Sequence, residues 1–119
     1  MSVFGRHHWY KITETEGELV FDNDIAVATV HGKKICLGRY RDTLFAFAYK
    51  CPHAGALMAE GYIDGTGNVV CPSHRYKFNI QNGRNVSGEG YHLKHWAVEK
   101  REDGIYVAMD AGGLLGWLK

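Results

Sequence analysis

The sequence has no long hydrophobic run at its start. Residues 1–20 carry charged side chains throughout and no apolar stretch of signal-peptide type, so neither a secretory leader nor a membrane anchor is expected. The expected location is cytoplasmic, with no membrane contact. Charge of one sign is also missing. Lys and Arg number 14 against 13 Asp and Glu, a formal net charge of +1 at pH 7, with both signs mixed along the chain. That balance argues against a nucleic-acid partner, which would require a basic patch or stripe, and it offers no strongly acidic face. Cysteine is scarce, with three in 119 residues. A chain of this length fits a single domain, 1–119, and can build an apolar core without disulfides as staples.

Helical periodicity is scarce too. Short runs rich in β-branched and aromatic residues recur instead, separated by Gly, Asn and Asp, the pattern of a small all-β antiparallel meander. Strands are predicted over 9–12, 25–30, 34–40, 44–49, 68–71, 77–79, 95–100 and 105–109. His31-Gly32-Lys33, Arg41-Asp42, Gln81-Asn82-Gly83 and Glu102-Asp103-Gly104 supply turns, since Asn and Gly tolerate positive φ. Asp64-Gly65-Thr66-Gly67 reads as a further turn rather than a phosphate loop, because no helix pattern and no Lys-Ser/Thr pair follows it.

Two short clusters carry the chemistry. Cys51-Pro52-His53 and Cys71-Pro72-Ser73-His74 are separated by seventeen residues, and each cysteine is closely followed by a histidine. Two loops would thus approach one inorganic centre, each bringing one sulfur and one nitrogen. Thiolate with imidazole suits zinc or iron–sulfur chemistry, so ligand type alone leaves both open. Spacing bears on the choice. A Cys2His2 zinc finger usually takes its two cysteines from one turn and its two histidines from one helix, whereas here the pairs are mixed. A two-iron cluster held by two Cys on one iron and two His on the other requires each loop to reach across both irons.

At these residues the sequence resembles the Rieske [2Fe-2S] family, as a Rieske-type ferredoxin. The likeness extends to Leu44-Phe45-Ala46-Phe47-Ala48 before the first loop, to Cys71-Pro72-Ser73-His74-Arg75-Tyr76-Lys77-Phe78 at the second, and to Gly104-Ile105-Tyr106-Val107, and it covers most of 8–109. It implies a Rieske-like antiparallel β-sandwich or meander with a cluster-binding subdomain formed by two loops. It also implies one [2Fe-2S] cluster, with Cys51 and Cys71 on the buried iron and His53 and His74 on the iron nearer solvent. The function implied is one-electron carriage without substrate catalysis, from a flavin-dependent NAD(P)H reductase to a terminal oxygenase. The oxygenases that resemble this region continue into a much larger catalytic domain, which is not expected here. Two alternatives stand beside this reading: the Rieske-like small subunit of an assimilatory nitrite reductase, and a colourless zinc-binding interaction module.

High-potential members of the family carry an additional cysteine in each loop, joined by a disulfide, with Ser and Tyr donors to the cluster sulfurs. Along the same pattern this chain has Ala56, Ser73, Tyr76 and Phe78. Losing hydrogen bonds to sulfur destabilises the reduced cluster, so the resemblance implies a potential toward the low end of the Rieske range, roughly −150 mV. The apolar stretch Ala54-Gly55-Ala56-Leu57-Met58 is expected to cover one side of the cluster, or to fill the core as a short helical turn.

Other candidates read as structural. Cys36, in Lys34-Ile35-Cys36-Leu37, is a small apolar residue of a buried strand. His92 and His95 lie three apart, which on a strand puts them on opposite faces, and His7-His8 read as surface residues. Asn85-Val86-Ser87 matches a glycosylation sequon that an unexported chain would not use. Gly113-Leu114-Leu115-Gly116-Trp117-Leu118 is too short to span a bilayer and is expected to pack on the sheet.

Overall fold

The computed structural model describes residues 7–53 and 55–110. Among these residues ten strands make three antiparallel sheets. In chain order these are β1 (His7–Lys11), β2 (Ile25–Val30), β3 (Lys33–Tyr40), β4 (Thr43–Ala48), β5 (Tyr62–Ile63), β6 (Asn68–Val70), β7 (Lys77–Asn79), β8 (His95–Trp96), β9 (Val98–Arg101) and β10 (Gly104–Asp110). The sheets run β1-β10-β9, β2-β3-β4-β8 and β5-β6-β7. Two 3₁₀ turns, Glu16–Glu18 and Met58–Glu60, are the helical elements among the described residues, and no helix there is long and apolar enough to cross a membrane.

The middle of the central sheet, along β3 and β4, is buried on both faces, and its sequence shows why. Along β3 and β4, Ile35, Leu37 and Ala46 join one core with Ile12, Ala28, Val30, Ile105, Val107 and Met109. Their strand neighbours Cys36 and Phe47 point the other way, into a second core with Met58, Val69, Phe78 and Leu93. Period-two alternation with apolar residues on both sides gives the near-continuous hydrophobic runs of these strands. The first core is closed by β1-β10-β9. The second lies against β5-β6-β7 and contains Cys51 and Cys71.

Most predicted strands are present within a residue or two. The predicted strand over 95–100 is two strands, because the chain changes sheets at Ala97: His95 and Trp96 pair with Phe47 and Ala46, whereas Val98 and its successors pair with β10. The two-residue β5, pairing Tyr62 with Val70, was not predicted; a strand that short carries no periodicity to read. The apolar segment 113–118 lies outside the described residues.

Candidate metal centre

The two Cys-His segments form adjoining loops. The first leaves β4 and closes as a hairpin: the Cys51 N–H donates to Ala56 O at 2.7 Å, the Gly55 N–H to Cys51 O at 2.9 Å and the Met58 N–H to Tyr49 O at 2.8 Å. Cys51 sits at its base, buried. The second leaves β6, where the Cys71 N–H donates to Tyr76 O at 2.8 Å. His74 and Arg75 at its tip take left-handed backbone, with φ of 65° and 58°. Non-glycine residues there cost about 1 kcal/mol or more each, so the loop holds them against their preference. The bases of the loops are pressed together at Gly61, where a Cβ would stand 1.9 Å from the Val70 carbonyl oxygen and 3.3 Å from Pro72.

The loops bring the predicted residues together as two pairs, Cys51 with Cys71 in one buried cluster and His53 beside His74. The Cys51 and Cys71 side chains lie close enough to influence each other's ionisation, and the Ser73 backbone N–H favours the charged form of Cys71. Burial pushes the Cys71 thiol up to about 11, so without a bound cation this pocket keeps a proton on sulfur. A coordinated metal inverts that preference by stabilising the thiolate. The His53 and His74 rings lie 5.2 Å apart between centroids. His74 is exposed, while His53 Nδ1 is buried and, among the described residues, has no hydrogen-bond partner. An orphaned buried polar atom costs about 1–3 kcal/mol, and a metal ion would satisfy it. Two buried free thiols, one solvent-facing imidazole and one unsatisfied buried imidazole nitrogen fit the donor set of a mixed-ligand two-iron cluster. Among the described residues no three His, Cys, Asp or Glu side chains gather about one point, and such a cluster requires only a pair at each iron.

A third segment, not anticipated from the sequence, covers the site. The Tyr76 ring lies 4.3 Å from His53, and the Tyr91 ring lies 5.5 Å from His53 and is stacked with Tyr76 at 6.0 Å. Tyr91 is held there by a loop organised on Asn85. The Asn85 Nδ2 donates to Lys77 O at 3.1 Å, Ser87 Oγ at 3.2 Å and Glu89 Oε1 at 2.9 Å, and its Oδ1 accepts from Glu89 N–H and from Gly90 N–H at 2.8 Å. Hydrogen bonding from Ser87, and then from Asn85, holds the Glu89 carboxyl below its ordinary range, with His53 adding an electrostatic pull. The signal in the sequence was Asn85 followed by two glycines, a turn signature. Phe78 is fully buried and has no hydroxyl to donate.

The remaining candidates resolve simply. Cys36 is fully buried and its thiol is pushed up to about 12 by burial, as befits an inert packing residue. Met58 fills the core from its 3₁₀ turn, as expected for that stretch. The His92 and His95 rings are neighbours at 5.9 Å, contrary to the opposite-face expectation, because the strand does not extend back to His92: His92 forms an isolated bridge with Arg84. His8 is exposed, and the side chain of His7 lies outside the described residues.

Comparison with known proteins identifies the family. The Rieske [2Fe-2S] domain pattern matches residues 8–97, and the chain belongs to that family, whose domain binds a [2Fe-2S] cluster. The ferredoxin component of the naphthalene 1,2-dioxygenase system of Pseudomonas putida is 29% identical over 65 residues, 55% of this chain and 62% of that protein. Cholesterol 7-desaturase of Bombyx mori is 28% identical over 113 residues, 88% of this chain but 24% of its own length. The chain therefore spans a quarter to under two-thirds of these relatives. Among solved structures, a chain from the complex of reduced oxygenase and oxidised ferredoxin in carbazole 1,9a-dioxygenase superposes with a TM-score of 0.69 at 27% identity, over 84% of this chain and 92% of that one. A Mycobacterium tuberculosis protein assigned as the small subunit of an NADH-dependent nitrite reductase reaches 0.72 at 20% identity, over 88% and 97%, which bears on the fold alone.

Proposed function

We propose that Cys51, His53, Cys71 and His74 hold the [2Fe-2S] cluster and that the chain is a one-electron carrier. It would accept electrons from a flavin-dependent NAD(P)H reductase and pass them to a terminal oxygenase in the cytoplasm. The observations that support the ligand assignment are the burial of Cys51 and Cys71 in one core cluster and the unpartnered His53 Nδ1 on a ring that neighbours His74. The cluster, when bound, supplies reversible one-electron exchange. The protein's part is to bind and insulate. Cys51 and Cys71 enter from the apolar core, which excludes water from the sulfur side, while His74 reaches solvent and offers a short exit for the electron. The Ser73 backbone N–H that favours the charged form of Cys71 stabilises added negative charge.

The likeness to a dioxygenase-system ferredoxin supports the carrier role. The absence of a hydroxyl at Phe78 supports a potential near the low end of the Rieske range, roughly −150 mV. The test is the visible and EPR spectrum of anaerobically purified protein before and after dithionite, with iron, sulfide and zinc quantified on the same sample. Two irons and two sulfides per chain with a Rieske-type signal on reduction are expected. A zinc-loaded or colourless protein that resists reconstitution would overturn the carrier reading, and a potential above about +100 mV would overturn the hydrogen-bond argument. A second reading, the electron-entry module of a longer oxygenase-type polypeptide, is favoured by the 88% coverage in the desaturase match. The mass of the protein purified from its native source separates the two.

A further inference from the structure

Beside the first cysteine loop lies a groove of about 490 Å³, lined by Gly32, Lys33, Lys34, Ala48, Tyr49, Lys50, Lys94 and Trp96. Four of the eight lining residues are lysines and none is acidic. Five other cations of this nearly neutral chain are matched with carboxylates, Lys11 with Asp103, Arg39 with Asp24, Lys77 with Asp64, Lys100 with Glu16 and Arg101 with Glu99, while Arg41, Arg75 and Arg84 stand apart from one another in the sequence and line no groove with the lysines. The groove lysines form no ion pair among the described residues. Lys34 alone makes a charge contact, with its Nζ 5.5 Å over the Tyr49 ring. Like charges gathered without counter-charge repel one another, so the cluster lowers the stability of the isolated fold. A partner that supplies the missing negative charge removes that penalty.

We propose that this groove docks an acidic segment of the protein's redox partner, with carboxylates at the lysine corners and an apolar side chain on the Ala48–Tyr49 floor. The proposal rests on the carrier reading and names the chemistry of the partner it requires. The volume lies in the range of binding clefts. The ammonium groups are compact point charges on separate elements, from the start of β3, the end of β4 and the segment before β8, and so suit several carboxylates spread along a peptide better than one forked anion. Position supports a redox purpose. Lys50 immediately precedes Cys51, and the Ala48 N–H donates to Lys94 O at 2.9 Å, which ties the third wall to the strand that leads into the cysteine loop. A partner seated here would lie against the cluster-bearing end.

The test uses the cluster-loaded full chain and a capped hexapeptide, Glu-Leu-Glu-Glu-Leu-Glu, with its Lys-for-Glu counterpart, titrated by calorimetry at low and high salt. The acidic peptide is expected to bind and the basic one not, with affinity falling as salt screens the charges. Lys33→Glu/Lys50→Glu/Lys94→Glu is expected to weaken binding by about tenfold or more. An equal charge change on the far sheet, Lys11→Glu/Lys100→Glu/Arg101→Glu, is expected to change it less than about twofold. The milder Lys→Gln triple serves if the reversal fails to fold. Equal losses in the groove and far-sheet variants, or no loss in either, would overturn the proposal. EPR and iron content on the same samples keep the two readings apart. A wild-type chain without a reducible cluster sinks the carrier reading, whereas an intact signal with groove-independent binding sinks the docking site alone.

Discussion

Replacing Gly61 by alanine places a methyl carbon 1.9 Å from the Val70 carbonyl oxygen. A carbon and an oxygen rest at about 3.3 Å or more, so one of the two backbones must withdraw by about 1.4 Å. The obstacle is not the tip of a flexible side chain. Val70 is paired on both sides, with Tyr62 on β5 and Lys77 on β7, and Gly61 itself is fixed by its N–H bond to Met58 O at 3.0 Å. Overpacking of a well-filled site costs about 1–3 kcal/mol, and with backbone on both sides the upper figure, about 3 kcal/mol, is expected. That corresponds to a fall in melting temperature of about 12 °C for a domain of this size. Because the displaced strand leads into Cys71, iron content should fall as well. Urea titration of loaded and metal-free protein, with iron measured per chain, reads both effects. Gly65→Ala is the control, since nothing lies within 4 Å of its added carbon, and it should stay within about 0.5 kcal/mol of wild type. A Gly61→Ala protein with unchanged urea midpoint and full iron would refute the claim that this contact sets the loop spacing.

Three further outcomes are expected. His53→Cys or His74→Cys should lower the potential or prevent assembly, because thiolate donates more charge than neutral imidazole; an unchanged potential and spectrum would exclude the altered residue as a ligand. Cys36→Ala should retain two irons and two sulfides and should flatten the alkaline limb of the stability profile. The Cys36 thiol is raised in the fold to about 12 from an ordinary 9.0. The folded state therefore keeps its proton longer, and the corresponding stability is whole below pH 9.0 and is lost as pH rises toward 12; an identical wild-type slope in the variant would count against this. Asn85→Asp removes the amide donors to Lys77, Ser87 and Glu89 and sets a second carboxylate against Glu89. Hydrogen exchange at Gly90 should quicken by about tenfold or more, and the cluster should decay faster in air. Unchanged protection would show that Asn85 does not organise the loop.

The inner strands of the central sheet were legible because burial on both faces leaves an apolar signature, as in Ile35-Cys36-Leu37 of β3. The family was legible because the side-chain chemistry of the two Cys-His segments is rare and their spacing unusual. What escaped the sequence was set by tertiary geometry. The crossing at Ala97 splits one apparent strand between two sheets, and nothing local marks the residue at which the partner changes. His92 and His95 became neighbours because pairing with Arg84 interrupts the extended run. Gly61 looked like any loop glycine until Val70 was brought against it. The cover formed by Tyr76, Tyr91 and the Asn85 loop depends on ring contacts between segments fifteen or more residues apart, while the polar run that builds it resembles an ordinary surface turn.

β1 and β10 lie side by side, with His7 opposite Asp110. The described chain thus enters and leaves at one edge, on the sheet that closes the core without cysteines. Both leads of the described unit therefore belong to the sheet that closes the cysteine-free core, across the central sheet from Cys51 and Cys71. A longer polypeptide can carry such a unit with both connections made on that sheet rather than on the two Cys-His loops. The same arrangement recommends that edge for surface immobilisation, where a tether at either lead would leave His74 facing outward toward solvent or an electrode.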